Sequence, residues 1–208
     1  MKAKIKILAF NCSLKKSDPE KNSSTRRLLE ECLVAFAEEG AAGEIVHVAD
    51  YRVEPGVTND EGSGDQWPEL RQKVDSADIL LIGTPIWLGQ PSSLAKRVLE
   101  RLDIFLEEKN EKGHMPSYGK VATLAVVGNE DGAHYCTAAV FQALNDLGFT
   151  IPPNGMTYWV GEVMGSVDYI HLSKTPKVVA QMTKSMARTS THLARLLRSR
   201  PFPPLPPD

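Results

Sequence analysis

A chain of 208 residues is long enough to bury a full core, as one large domain or a domain with additions. Its 24 Lys and Arg against 26 Asp and Glu, a formal charge of -2, offer no overall attraction to nucleic acid or an anionic membrane. Three widely spaced cysteines, Cys12, Cys32 and Cys136, make neither a disulfide framework nor a zinc motif, so a reducing cytoplasm is the expected setting.

In chain order, Lys4 to Phe10 reads as a first strand that ends at polar Asn11. From Ser24 the period becomes helical, with Leu28, Leu29, Cys32, Leu33 and Phe36 on one face as far as Gly40 and Gly43. Glu44 to Asp50 predicts a second strand, Glu54 to Gln66 a glycine- and acid-rich loop, and Trp67 to Ser76 a short helix. Asp78 to Thr84 is apolar at both parities, as a central strand covered on both faces should be. A turn follows through Thr84 to Gly89, then a serine-capped helix marked by Leu94, Val98, Leu102 and Phe105. Lys120 to Gly128 repeats the buried-strand signature, followed by a helix through Val140, Phe141, Leu144 and Leu147. A last strand falls within Thr150 to Val160, its start unsettled by Pro152, Pro153 and Asn154. Val178 to Leu197 predicts a long closing helix.

Strands alternating with helices imply an α/β doubly wound parallel sheet, because parallel neighbours need crossovers and the helices cover both faces. Residues 1–198 are expected to form one domain. Residues 199–208, ending in "PFPPLPPD", are expected to be an extended proline-rich tail, either a frayed terminus or a P-x-x-P ligand. No run approaches the ~18 apolar residues of a membrane helix.

Ligands of such sheets bind beyond the carboxyl ends of the strands, where the winding reverses, and three loops of unusual composition leave those ends. The first, Asn11 to Thr25, puts Ser13, Ser23, Ser24 and Thr25 ahead of a helix, where backbone N–H groups and the helix dipole favour an anion. Lys15, Lys16, Arg26 and Arg27 can add positive charge. The alternative is that Ser23 or Ser24 is an N-cap and nothing more. In the second loop, Pro85 restricts the path, Gly89 permits close approach and Trp87 offers a flat face; the alternative is that Trp87 fills the core. The third, Gly128 to His134, sets Asn129, Glu130 and Asp131 between Gly128 and Gly132 and directs backbone donors toward a heteroaromatic edge, unless Asp131 is a plain N-cap and His134 a surface residue. Together the loops describe a ligand with a phosphate and a flat ring.

These stretches resemble the flavodoxin-like flavoproteins, specifically the branch of NAD(P)H-dependent FMN reductases and multimeric flavodoxins, over Lys4 to about Gly161. The likeness is densest in "GTPIWLGQPSSLAKRVLERLD" and "GNEDGAHYCTAAVFQALNDLGFTIPP". The resemblance implies a five-stranded sheet of order 2-1-3-4-5 and FMN as cofactor. It places the phosphate on Ser13, Ser23, Ser24 and Thr25, with Ser24 where the family has asparagine, and Lys15 is the candidate cation beside them. It lays the isoalloxazine along Pro85, Ile86, Trp87, Leu88 and Gly89, with tryptophan for the family's tyrosine, and sets the pyrimidine edge against the loop from Gly128 through Asn129, Glu130, Asp131 and Gly132. The spacer Lys16 to Asn22 is longer than the family's usual one, and the compact cysteine motif of iron–sulfur relatives is missing, so no cluster is expected.

The implied activity is electron transfer from NAD(P)H through FMN to a quinone, a free flavin or a similar acceptor, by an FMN-reductase or quinone-reductase-like enzyme with no obligate acid, base or metal. Its partners would be small molecules rather than nucleic acid or membrane, and the long last helix suits a homodimer or homotetramer. The alternatives are a flavodoxin-type electron carrier and a cofactor-free interaction module. No G-x-G-x-x-G follows the first strand, and Ser93-Leu-Ala-Lys96 has neither companion motif of an acyl-transfer enzyme.

Overall fold

The computed structural model describes residues 4–18, 23–163 and 165–206. Residues 19–22 of the first-loop spacer and 207–208 of the tail lie outside these. Strands β1 (Ile5–Asn11), β2 (Ala41–His47), β3 (Ile79–Trp87), β5 (Val121–Gly128) and β6 (Met156–Val160) pair in parallel in the order β2-β1-β3-β5-β6. A two-residue strand, β4 (Gln90–Pro91), folds back antiparallel on β3. With that hairpin set aside, the five parallel strands run 2-1-3-4-5, as expected. Helices α1 (Ser24–Glu38), α2 (Trp67–Ser76), α3 (Ser93–Leu102), α4 (Ala133–Asp146) and α5 (Lys177–Ser199) complete the chain.

Strand alternation sorts the core into two layers. Leu8, Phe10, Leu80, Ile82, Leu124 and Val126 face the layer that holds Leu70 and Val74 of α2, Val98 and Leu102 of α3, and Val140 and Leu144 of α4. Their neighbours Ile5, Ile7, Ala9, Ile79, Leu81 and Ala125 face Leu28, Leu29 and Phe36 of α1 and Val179, Met186 and Ala194 of α5. The period of 2 in the strands and 3.6 in the helices thus fixes which side chains meet.

Three boundaries differ from the sequence reading. β2 begins at Ala41 rather than Glu44 and ends at His47, with a 3-10 turn from Val48 to Asp50. Gly43 lies inside the strand, because a Cβ there would come within 2.3 Å of the Ile7 carbonyl on β1. β3 runs past Thr84 to Trp87, so Pro85 sits in the strand and the turn is a tight hairpin. β6 begins only at Met156; the earlier stretch contributes a single parallel bridge from Thr150 to Val121.

Residues 201–206 form neither helix nor strand and are docked on the domain. Phe202 meets Tyr118 edge-on, His114 Nε2 lies 2.8 Å from the Pro203 carbonyl, and Leu205 N donates to the Lys112 carbonyl at 2.9 Å. A frayed end is therefore not what residues 200–206 form. No described helix is long and apolar enough to cross a membrane.

Candidate cofactor site

The chain leaves β1 toward β2 and returns on the opposite side as β3, so the winding reverses between β1 and β3. A cleft opens there, walled by the first loop, the β3 end and the loop after β5. Its volume of about 250 Å³ falls below the ~300–1,000 Å³ of sites that enclose a drug-sized ligand. A ligand would be gripped along part of its surface and left open elsewhere.

The first loop is organised from beneath by buried Asn11, whose Oδ1 accepts the Ser13 N–H at 3.0 Å and whose Nδ2 reaches Ser23 Oγ at 3.4 Å. Ser23 is the N-cap of α1 and accepts the Arg26 N–H at 3.0 Å. Ser13, Lys15, Ser23, Ser24 and Thr25 all line the cleft. Ser13 Oγ is buried and has no hydrogen-bond partner among the described residues, a costly arrangement unless a ligand supplies the acceptor. Ser24 Oγ accepts the Ile170 N–H at 3.2 Å, so it also ties α1 to the segment after β6.

The cations separate clearly. Lys15 faces the cleft. Arg26 is turned to Glu30 at 2.6 Å and donates to His47 Nε2 at 2.8 Å. Arg27 pairs with Glu31 and donates to the carbonyls of Tyr169, Ile170 and Leu172. Burial, and then the Arg26 charge, lower the His47 pKa from its usual 6.5.

At the β3 end, Pro85, Ile86 and Trp87 line the cleft. Trp87 is 53% exposed while Ile86 is buried, which rejects the core-filling alternative for the tryptophan. Leu88, 91% exposed, projects from the hairpin tip, and Gly89 packs against the third loop, where a Cβ on Gly132 would lie 2.8 Å from Gly89 Cα. The Ser92 hydroxyl, N-cap of α3, donates to the Cys12 carbonyl at 2.6 Å and so locks the second loop to the first.

In the third loop Gly128, Asn129 and Glu130 line the cleft, whereas Asp131 is exposed and accepts the Gly132 N–H at 2.8 Å. Gly132, with φ 125°, occupies the N-cap position of α4 in place of Asp131. His134 stacks edge-on against Tyr158 outside the lining. Leu88, Gly89, Asp131 and Gly132 are thus not among the residues that line the cleft.

A fourth wall escapes the sequence reading. Trp159 on β6, with Asp168 and Tyr169 beyond it, also lines the cleft. Trp159 and Tyr169 rings lie 5.3 Å apart, and the buried Tyr169 hydroxyl donates to Glu31, so burial and that carboxylate push its pKa up. Asn129 Nδ2 donates to the Gly165 carbonyl at 2.8 Å and joins this wall to the third loop. The clue available in the sequence was an aromatic at each end of an irregular stretch between β6 and α5.

Hydroxyls, a lysine and a helix N-terminus along the cleft suit a phosphate, and exposed Trp87 with half-buried Trp159 in the lining suit a flat ring. A family model described as NADPH-dependent FMN reductase matches residues 5–164. The chain is similar to the 8-demethyl-8-aminoriboflavin-5'-phosphate synthase of Streptomyces davaonensis, 33% identical over 95% of this chain and 80% of that protein. A solved structure of RosB with bound 8-demethyl-8-formylriboflavin-5'-phosphate superposes with a TM-score of 0.87 at 33% identity, covering 95% of this chain and 82% of that one. An NADH:FMN oxidoreductase in its apo form gives a TM-score of 0.68 at 20% identity, over 95% and 92% of the two chains, a likeness of fold alone.

Proposed function

The chain belongs to the NADPH-dependent FMN reductase family, and on that premise we infer that it binds FMN in the cleft and passes electrons from NAD(P)H to a small-molecule acceptor such as a quinone or a free flavin. The observation that carries this reading is the buried hydroxyl of Ser13, a lining residue of the cleft, which has no hydrogen-bond partner among the described residues. A phosphate there would accept from Ser13, from Ser24 or Thr25 and from the first N–H groups of α1, with Lys15 balancing its charge.

When bound, the flavin ring supplies the two-electron chemistry. The protein's residues hold, orient and tune. Pro85 and the paired strands β3 and β4 hold Trp87 at the cleft, where it would lie along the ring, Trp159 would offer a second aromatic surface, and the Glu130 carboxylate anchors the hairpin. No side chain is required to exchange a proton with the substrate. A cleft of this size would leave part of a bound ring accessible to a nicotinamide and then to an acceptor, whereas a carrier for protein partners needs no such alternation of small molecules.

A second reading is favoured by the likeness to the Streptomyces davaonensis synthase: the flavin phosphate is itself the substrate, and its ring is altered. Mass analysis of the flavin after turnover separates the two, since a resident cofactor is recovered unchanged. The primary test is paired titration with FMN and riboflavin by flavin fluorescence. FMN should bind at least about tenfold more tightly, as one charged hydrogen bond alone would require; equal affinity would move the phosphate out of the first loop.

A further inference from the structure

Leu88 and Gly89 form the two-residue turn between Trp87 and Gln90, with φ values of 52° and 72°, the left-handed pair that a type I′ hairpin demands. Their N–H groups both meet one side chain. Leu88 N donates to Glu130 Oε1 and Gly89 N to Glu130 Oε2, each at 3.1 Å. Glu130 belongs to the loop after β5 and lines the same cleft as Ser13, Lys15 and Trp87. Gly132, in close contact with Gly89, holds the tip against that loop. The carboxylate is thus fixed on the cleft wall by two neutral backbone donors.

We propose that Glu130 sets the redox poise of the site, as a fixed negative charge that disfavours the electron-rich flavin and so favours onward delivery of electrons. The inference rests on the FMN reading above. Hydride transfer from a nicotinamide moves two electrons and one proton to the ring, leaves the nicotinamide oxidised and adds one negative charge to the cleft. With the ring bound in the cleft, that charge would share it with half-buried Glu130, and like charges repel more where water is partly displaced than in bulk. Lys15 acts in the opposite sense, and Asp168, on the fourth wall, in the same sense.

The test is the midpoint potential of the FMN-loaded protein, measured by anaerobic equilibration with a reference dye, for the wild type, Glu130→Gln and Glu130→Asp. Glutamine keeps the length and one acceptor for the hairpin but removes the charge. Aspartate keeps the charge but shortens the reach to the two N–H groups. Glu130→Gln is expected to shift the two-electron equilibrium toward the reduced flavin about tenfold, or roughly 30 mV, with Glu130→Asp close to the wild type. Equal potentials in all three, a downward shift in Glu130→Gln, or a larger shift in Glu130→Asp than in Glu130→Gln would overturn the role of the charge. Failure of the wild type to take up FMN would overturn the cofactor reading and this inference with it, whereas flavin bound at an unchanged potential overturns this inference alone.

Discussion

Ser13→Ala separates ligand binding from folding, because its two effects are expected to have opposite signs. Ser13 is 4% exposed and its hydroxyl has no partner among the described residues, so in the protein alone it represents a desolvated group with nothing in return. Alanine at this position should leave stability unchanged or raise it by up to ~1–2 kcal/mol. A hydrogen bond to a charged phosphate contributes about 1.5–3 kcal/mol, so the same change should weaken FMN binding roughly 10- to 150-fold. Riboflavin, which has no phosphate, should bind both forms equally. Ser23→Ala is the control: it removes the cap that accepts the Arg26 N–H at 3.0 Å and should cost about 1 kcal/mol of stability. The assays are flavin fluorescence titration and urea unfolding. Unchanged FMN affinity, or an equal loss for riboflavin, would refute the assignment of Ser13 to the phosphate.

Three further changes probe the walls of the cleft. Trp87→Ala should alter the absorbance or potential of bound FMN while shifting stability by less than the ~3–5 kcal/mol typical of buried aromatics, since Trp87 is half exposed; a loss in that higher range on urea unfolding would return it to the core. Gly132→Ala introduces a Cβ 2.8 Å from Gly89 Cα at a φ of 125°, so it should cost ~1 kcal/mol or more and weaken FMN binding by displacing the hairpin, both read in the same titrations. His47 has a folded-state pKa below 6.5, so the unfolded chain takes up the proton first. Its contribution is fully present above 6.5 and declines as pH falls from there to the folded value. Urea unfolding across about pH 5 to about pH 7.5 should show that decline, and His47→Gln should flatten it.

Much of the fold is legible because burial on both faces leaves a strong trace. β3 and β5 are continuous apolar runs, and the helices keep their 3.6 period, since each presents one face to the sheet. What the sequence conceals are effects of neighbours. Gly43 reads as a helix stop but is a strand residue pressed against β1. Pro85 and Gly89 read as an open turn, yet pairing of Ile86 with Pro91 and Trp87 with Gln90 makes a hairpin. The wall at Asp168 and Tyr169 has no motif or period; it exists because Arg27 holds three of its carbonyls and Ser24 one of its N–H groups. The tail reads as a loose end because Phe202 finds Tyr118 only after the connector between α3 and β5 has folded.

The most direct test of the central claim is the visible spectrum of the purified protein with added FMN, followed anaerobically by NADPH and, separately, NADH. Bound flavin bands that bleach with either nucleotide and return when a quinone or free flavin is supplied are the expected result. Flavin that binds but ignores both nucleotides would contradict the reductase reading, and failure to bind flavin at all would contradict the assignment of the cleft.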